Sequence, residues 1–182
     1  MNNTNINHFR WYVVYTCPNS EKKVHTSLEQ KNIISFLPLK KVTRQWSDRR
    51  KIIEIPLFPN YIFVYTTKQE RFKVLDISGV SRYIMYNKCP ATISENEITT
   101  LKKLIINKEA VIEQYLEGDK INIVDGPFNG LTGIIFERKG KTRFGVRLES
   151  INRSISVELN GSSIRKIDPH EAKNNLADLV LI

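Results

Sequence analysis

Only two cysteines, Cys17 and Cys89, occur in 182 residues, so no disulfide framework can be built. Neither has a histidine or a second cysteine at ligand spacing, which excludes a zinc-type motif. No run approaches the roughly eighteen apolar residues of a membrane helix. Met1 to His8 is Asn-rich rather than a charged stretch followed by an apolar one, so it does not read as a secretory leader. These absences predict a cytoplasmic chain with no membrane association. His8, His25 and His170 are scattered, and neither a Ser/His/Asp order nor a carboxylate pair stands out, so no catalytic residue, metal or cofactor is predicted. Gly140-Lys141-Thr142 has the ending of a phosphate-binding loop. The preceding glycine is Gly133, however, which leaves six intervening residues instead of about four, and no helical pattern follows.

What is present is positive charge. Lys and Arg number 28 against 19 Asp and Glu, a formal net charge of +9, and the isoelectric point is near 9.6. Such a chain attracts polyanions, and nucleic acid is the default partner class. With 41% hydrophobic and 26% charged residues the composition is that of a globular protein, long enough for one ordinary domain or two small ones.

Trp11 to Thr16 is a continuous apolar, β-rich run, the pattern of a central strand covered on both sides. Pro18-Asn19-Ser20 offers capping chemistry to a helix over Glu21 to Lys31, with Val24 and Leu28 on one face. Ile33 to Val42 and Lys51 to Ile55 read as strands flanking a hairpin tip at Arg44 to Arg50. In Pro56-Leu57-Phe58-Pro59-Asn60-Tyr61-Ile62-Phe63-Val64, Pro59 and Asn60 form a rigid corner into a strand. Tyr61 and Phe63 share one face of it while Ile62 and Val64 share the other. One apolar face fills the core, and the second is expected to need another partner. Lys68 to Lys73 reads as a polar loop, Tyr83 to Tyr86 as a strand, and Ser94 with Glu97 as a capping box opening a helix with Ile98, Leu101, Leu104 and Ile105.

After Gly118 the pattern changes to close-spaced alternating strands, Lys120 to Val124, Thr132 to Glu137, Arg143 to Leu148 and Ser154 to Leu159, which suit a small β-barrel. The predicted organisation is a disordered 1–8, a first domain at 9–107, a linker at 108–117, a β domain at 118–168 and a tail at 169–182. The first domain reads as α+β, with helices packed on a mostly antiparallel sheet.

Gly118 to Gly133, with Gly126-Pro127-Phe128-Asn129-Gly130 at its turn, resembles the KOW motif. Ribosomal and other RNA-binding proteins also carry that motif, so on its own it leaves a KOW-bearing RNA-binding protein as an alternative. Trp11-Tyr12-Val13-Val14, Glu21-Lys22-Lys23-Val24, Phe58 to Val64 and Gly79-Val80 resemble, in order, the amino-terminal NGN domain of the NusG family. The resemblance covers about residues 10 to 168. Asn60 stands where general elongation factors of the family usually have Gly. The Leu-Phe-Pro-Asn-Tyr string is similar to specialised paralogues such as RfaH, and Trp46 to Lys51 resembles UpxY-type antiterminators of surface-polysaccharide operons.

The resemblance implies an NGN domain plus a small SH3-like KOW β-barrel, and a monomeric factor that binds RNA polymerase, suppresses pausing and promotes antitermination, with a general NusG-type factor as the alternative. It implies no chemistry and no cofactor. Tyr61, Phe63 and Phe58 map to a patch for the polymerase clamp helices, and Gln69, Glu70 and Arg71 to a loop touching the opposite jaw. Ser20 and Lys23 match positions that contact non-template DNA, although Cys17 and Pro18 replace basic residues of the RfaH-like pattern. The hairpin carries Lys40, Lys41, Arg44, Arg49, Arg50 and Lys51 against Asp48 alone, with Trp46 among them. Arg and Lys engage phosphate and an exposed indole stacks on bases, so Arg44, Trp46, Arg49, Arg50 and Lys51 are expected to meet upstream DNA. Phe128 and Ile151 map to KOW docking, Ile151 to ribosomal protein S10.

Overall fold

The computed structural model describes residues 8–46, 49–106, 111–113, 118–124, 128–138, 140–148, 151–159 and 164–166. It divides into two units, residues 1–108 with 148–152 and residues 109–147 with 153–182. The expected disordered N-terminus up to Asn7, the tail at 169–182, and Ser47 and Asp48 of the hairpin tip lie outside the described residues.

In the first unit the aromatic run forms β1 (Arg10–Thr16). It pairs antiparallel with β5 (Tyr61–Thr66) on one side and β6 (Val80–Tyr83) on the other. The sheet order is β2-β5-β1-β6, with β2 (Ile34–Phe36) at one edge and β9 (Thr92–Ile93) also pairing β1. Alternation then assigns side chains to layers. Ile62 and Val64 join Tyr12, Val14 and Tyr83 in a core closed by Val24 and Leu28 of α1 (Glu21–Gln30) and Val74 of α2 (Arg71–Leu75).

On the opposite face Phe63 lies beside Val13 and Phe36 by register, and α3 (Glu95–Ile105) covers that face. The indole Nε1 of Trp11 donates to Glu95 Oε2 at 2.5 Å, and Lys102 Nζ lies 5.9 Å from the Trp11 ring and 5.5 Å from the Phe36 ring. Ile98, Leu101 and Leu104, recurring on one helical face, are fully buried. The expectation that this second apolar face needs a partner from outside is therefore corrected: α3 of the same chain fills that role. Full burial of an aromatic such as Phe63 contributes about 1.5–3 kcal/mol.

The helix starts differ. At α3 the capping box is complete, Glu97 N donating to Ser94 Oγ and Ser94 N donating to Glu97 Oε2. At α1, Ser20 stands at the cap position with helical backbone angles and makes no side-chain capping bond. The first-turn carboxylate there, Glu21, is buried and serves the corner before β5. Its Oε1 accepts from Asn60 N at 2.8 Å, Asn60 O accepts from Thr16 N at 2.8 Å, and Asn60 Nδ2 donates to Thr16 O. Asn60 has φ of +69°, a left-handed conformation that Asn tolerates better than other side chains. One corner thus ties the end of β1, the start of β5 and the start of α1.

Three local expectations change. The strand predicted over Ile33 to Val42 breaks at Leu37-Pro38, because Pro38 lacks the N–H a ladder needs. The chain resumes as β3 (Leu39–Gln45), which pairs with β4 (Arg50–Pro56) as a separate two-stranded sheet. The predicted polar loop contains the first turn of α2, and Tyr83 to Tyr86 divides between β6 and β7 (Met85–Tyr86). The latter pairs with β8 (Cys89–Pro90) across a turn in which Asn87 and Lys88 both have positive φ, the geometry of a tight hairpin.

The second unit is a six-stranded antiparallel sheet of order β10-β14-β13-β12-β11-β15. Its members are β10 (Val111–Glu113), β11 (Asp119–Ile123), β12 (Thr132–Arg138), β13 (Lys141–Leu148), β14 (Arg153–Glu158) and β15 (Ile164–Lys166). The segment expected as a linker therefore contributes an edge strand, β10, paired with β14. Gly133 is required by close approach: a Cβ there would sit 2.5 Å from the Gly145 carbonyl oxygen and against the Phe144 ring. Among the described residues no helix is long and apolar enough to cross a membrane.

Candidate functional site

The β3–β4 hairpin holds the basic candidates together. Register sets Arg44 opposite Lys51 and Gln45 opposite Arg50, and the turn closes through Trp46 N donating to Arg49 O at 2.8 Å. Like charges directly across a ladder destabilise it, so the Arg44–Lys51 pair weakens the hairpin and suits a polyanion. Arg50 Nε donates to Gln45 Oε1 at 2.8 Å, and Lys41 meets Glu54 at 4.0 Å, too exposed a pair to stabilise much. Trp46 is 55% exposed at the tip. Ser20 and Lys23 belong to α1 instead, where Lys23 is exposed and Ser20 half-buried.

The aromatic candidates separate by burial. Phe63 and Phe58 lie in the core, edge to face at 6.4 Å, with Phe63 stacked on Phe36. They hold the sheet together rather than offering contact area. Tyr61 is half-buried at the start of β5 and meets Tyr15 edge to face at 5.5 Å, while the Arg82 guanidinium lies 4.6 Å over the Tyr15 ring. Sequence reasoning missed Tyr15 and Arg82. Parity along β1 could have pointed to Tyr15, whereas Arg82 needed the β1–β6 register.

Gln69 is exposed, Glu70 precedes α2 and pairs with Lys73 at 2.9 Å, and Arg71 opens the helix with its guanidinium 5.3 Å from the Phe72 ring. Phe72 and Leu75 are exposed apolar groups that the sequence reading passed over. Tyr83 donates its hydroxyl to Arg71 O at 2.8 Å; burial pushes its phenol well above the usual range against the opposing pull of Arg71.

In the second unit Phe128 is buried. Ile151, expected as a docking residue, belongs to the 148–152 segment grouped with the first unit and is buried as well. A further feature escaped sequence reasoning: a recess of about 770 Å³ between the hairpin and the end of α3, lined by Leu39, Val42, Ile52, Ile105 and Ile106 with Lys40, Lys41, Thr43 and Glu54. Ile52 is 67% exposed and Ile106 82%. Among the described residues no cluster of His, Cys, Asp or Glu has the makings of a metal site.

Residues 9–102, more than half of the chain, match the family model described as transcription termination factor nusG. The chain belongs to the NusG family. Relatives agree over most of its length. It is 25% identical over 177 residues to the transcription termination/antitermination protein NusG of Rickettsia conorii, covering 87% of this chain and 91% of that protein. It is 26% identical over 182 residues to the protein of the same name from Thermus thermophilus, covering 86% and 97%. Among solved structures, that titled domain interaction in Thermotoga maritima NusG aligns with a TM-score of 0.51 at 21% identity, over 88% of this chain and 98% of that one, which shows the fold. The NusG-like fold accounts for both units: an NGN-type sheet with helices, then a β-rich carboxy-terminal domain.

Proposed function

We propose that this chain is a transcription elongation factor that binds RNA polymerase, suppresses pausing and promotes antitermination on a restricted set of operons, those for surface polysaccharides by resemblance. The observation that carries this reading is the hairpin, where Arg44 and Lys51 oppose each other and Trp46 stands in solvent. A ladder arranged against its own stability, on a chain of this family, fits contact with upstream or non-template DNA. Ser20 and Lys23 extend that surface from α1.

The polymerase clamp helices would dock on Tyr61 and on the apolar recess of Ile52, Ile105 and Ile106, with Phe58 and Phe63 holding the sheet beneath. Gln69, Glu70 and Arg71, together with exposed Phe72, would reach the opposite jaw. Bridging both jaws favours a closed clamp over the open, paused state, which is action by differential binding without chemistry. Docking to ribosomal protein S10 falls to exposed Asn152, since its neighbour Ile151 is buried.

One observation favours a second reading, a general NusG-type factor. The corner at residue 60 demands a left-handed backbone, which Asn and Gly both supply. Asn60 is thus explained by geometry and says little about subfamily.

Single-round transcription through a pause and a terminator tests the proposal, using purified polymerase with and without the protein. Shortened pauses and read-through are expected on selected templates; equal effects on every template favour the general factor, and no effect removes both readings. Tyr61→Ala combined with Ile52→Ser is expected to abolish binding to core polymerase with unchanged thermal unfolding. Arg49→Ala with Arg50→Ala is expected to lower the slope of log affinity for DNA against log salt by about 0.7–0.9 per phosphate contact removed.

A further inference from the structure

We infer that the first unit carries a recess for an arginine side chain of a partner protein, formed by Phe9, Trp11 and Tyr65 with the Glu95 carboxylate at its edge. The recess has a volume of about 330 Å³ and is completed by Arg10, Thr92, Ile93 and Ser94. Phe9 and Trp11 have the same parity along the chain, and register sets Tyr65 opposite Trp11. The Phe9 and Tyr65 rings are 5.4 Å apart and tilted by 30°, and those of Trp11 and Tyr65 are 5.1 Å apart and tilted by 38°. Burial is graded along this wall, with Trp11 buried, Tyr65 half-buried and Phe9 51% exposed. Phe9 therefore presents an aromatic surface to solvent that the core does not use.

Glu95 makes the recess selective. Its Oε2 accepts from Trp11 Nε1, which fixes the carboxylate against the aromatic wall, and among the described residues Oε1 has no partner. The charges around it leave room for a cation. Arg10 contributes to the lining, but it is of opposite parity to Phe9 and Trp11 along β1, which sets it on the other face of the strand from the aromatic wall. Glu97 is committed to the Ser94 cap. Lys102, the cation already over the aromatic face, lies near Trp11 and Phe36. Its backbone is two helical turns beyond Glu95, about 10 Å along the axis; its ammonium near Trp11 offsets part of the carboxylate's charge but makes no ion pair with Glu95 among the described residues.

A guanidinium matches this arrangement because it is planar, stacks on an aromatic face and donates a fork of N–H groups to a carboxylate. An ammonium offers neither the plane nor the fork. The surface of a chain with net charge +9 mainly recruits anions; this recess has the opposite selectivity, and it stands independently of the polymerase and DNA contacts proposed above.

The two tryptophans, Trp11 and Trp46, each give an indole N–H resonance, and Trp46→Phe assigns them. Titration of the ¹⁵N-labelled full chain with N-acetylarginine methylamide is expected to move the Trp11 indole signal saturably and leave that of Trp46 in place, while the uncharged citrulline analogue is expected to leave both unmoved. Glu95→Gln retains an acceptor for the indole N–H and so preserves the fold, yet is expected to raise the midpoint at least tenfold. Phe9→Leu, at an exposed position, is expected to weaken the response as well. The inference is overturned by absence of saturation, by equal responses to the citrulline or lysine analogues, or by unchanged midpoints in both variants.

Discussion

The two longest ladders of the first unit, β1–β5 and β3–β4, are both regular antiparallel pairs of similar length, yet they are stabilised for different reasons. Between β1 and β5 each residue is claimed by a layer: Ile62 and Val64 by α1 and α2, Phe63 by α3. A slip of one residue there would exchange the faces of the whole strand. The β3–β4 pair has little to hold it beyond its ladder and tip, with Ile52 and Trp46 in solvent and Arg44 facing Lys51. Where packing determines every side chain, residues are spent on stability. Where it does not, the residues that remain are those suited to contact with other molecules.

Substitutions can break or sharpen this contrast. Phe63→Ala is expected to cost about 3–5 kcal/mol in urea unfolding, as for a large core truncation; a loss below about 1 kcal/mol would mean that α3 covers this face only loosely. Asn60→Ala is expected to cost about 1–2 kcal/mol from left-handed strain, and Asn60→Gly less, since glycine relieves the strain but forfeits the bond to Thr16 O. Equal thermal midpoints for the two variants would refute the strain account. Ser94→Ala, which removes half of the capping box, should cost about 1 kcal/mol, read from the same unfolding curves. Trp46→Ala is expected to stay within about 0.5 kcal/mol of the parent in calorimetry while weakening single-stranded DNA binding in a filter assay. A larger stability loss would place Trp46 among the structural residues.

Patterns confined to neighbouring residues were legible in advance. The β1 run, the Ser94–Glu97 box, the basic hairpin and the parity of Tyr61 to Val64 all depend on spacing, and the family resemblance drew on the same strings. What sequence could not reveal depends on distant registers. Phe63 reads as a contact residue until α3 is laid across it, and Arg82 reaches Tyr15 only through the β1–β6 pairing. The turn of α2 within a polar stretch was hidden because Val74 is anchored by tertiary burial rather than by helical periodicity. Val111 to Glu113 was too short to announce a strand without its partner β14. Phe9 and Glu95 drew no notice, being more than eighty residues apart.

The pairing of β1 with β5 also sets a schedule. Every contact from Arg10 with Thr66 to Tyr15 with Tyr61 spans α1 and the entire hairpin. During synthesis at roughly 5–20 residues per second, β1 emerges seconds before its partner exists, with Trp11 to Tyr15 unpaired. The β3–β4 hairpin is local and closes within about 1–10 microseconds of emerging. The basic tip can therefore close, marginally stable as an isolated hairpin is, while the aromatic strand still waits for its partner.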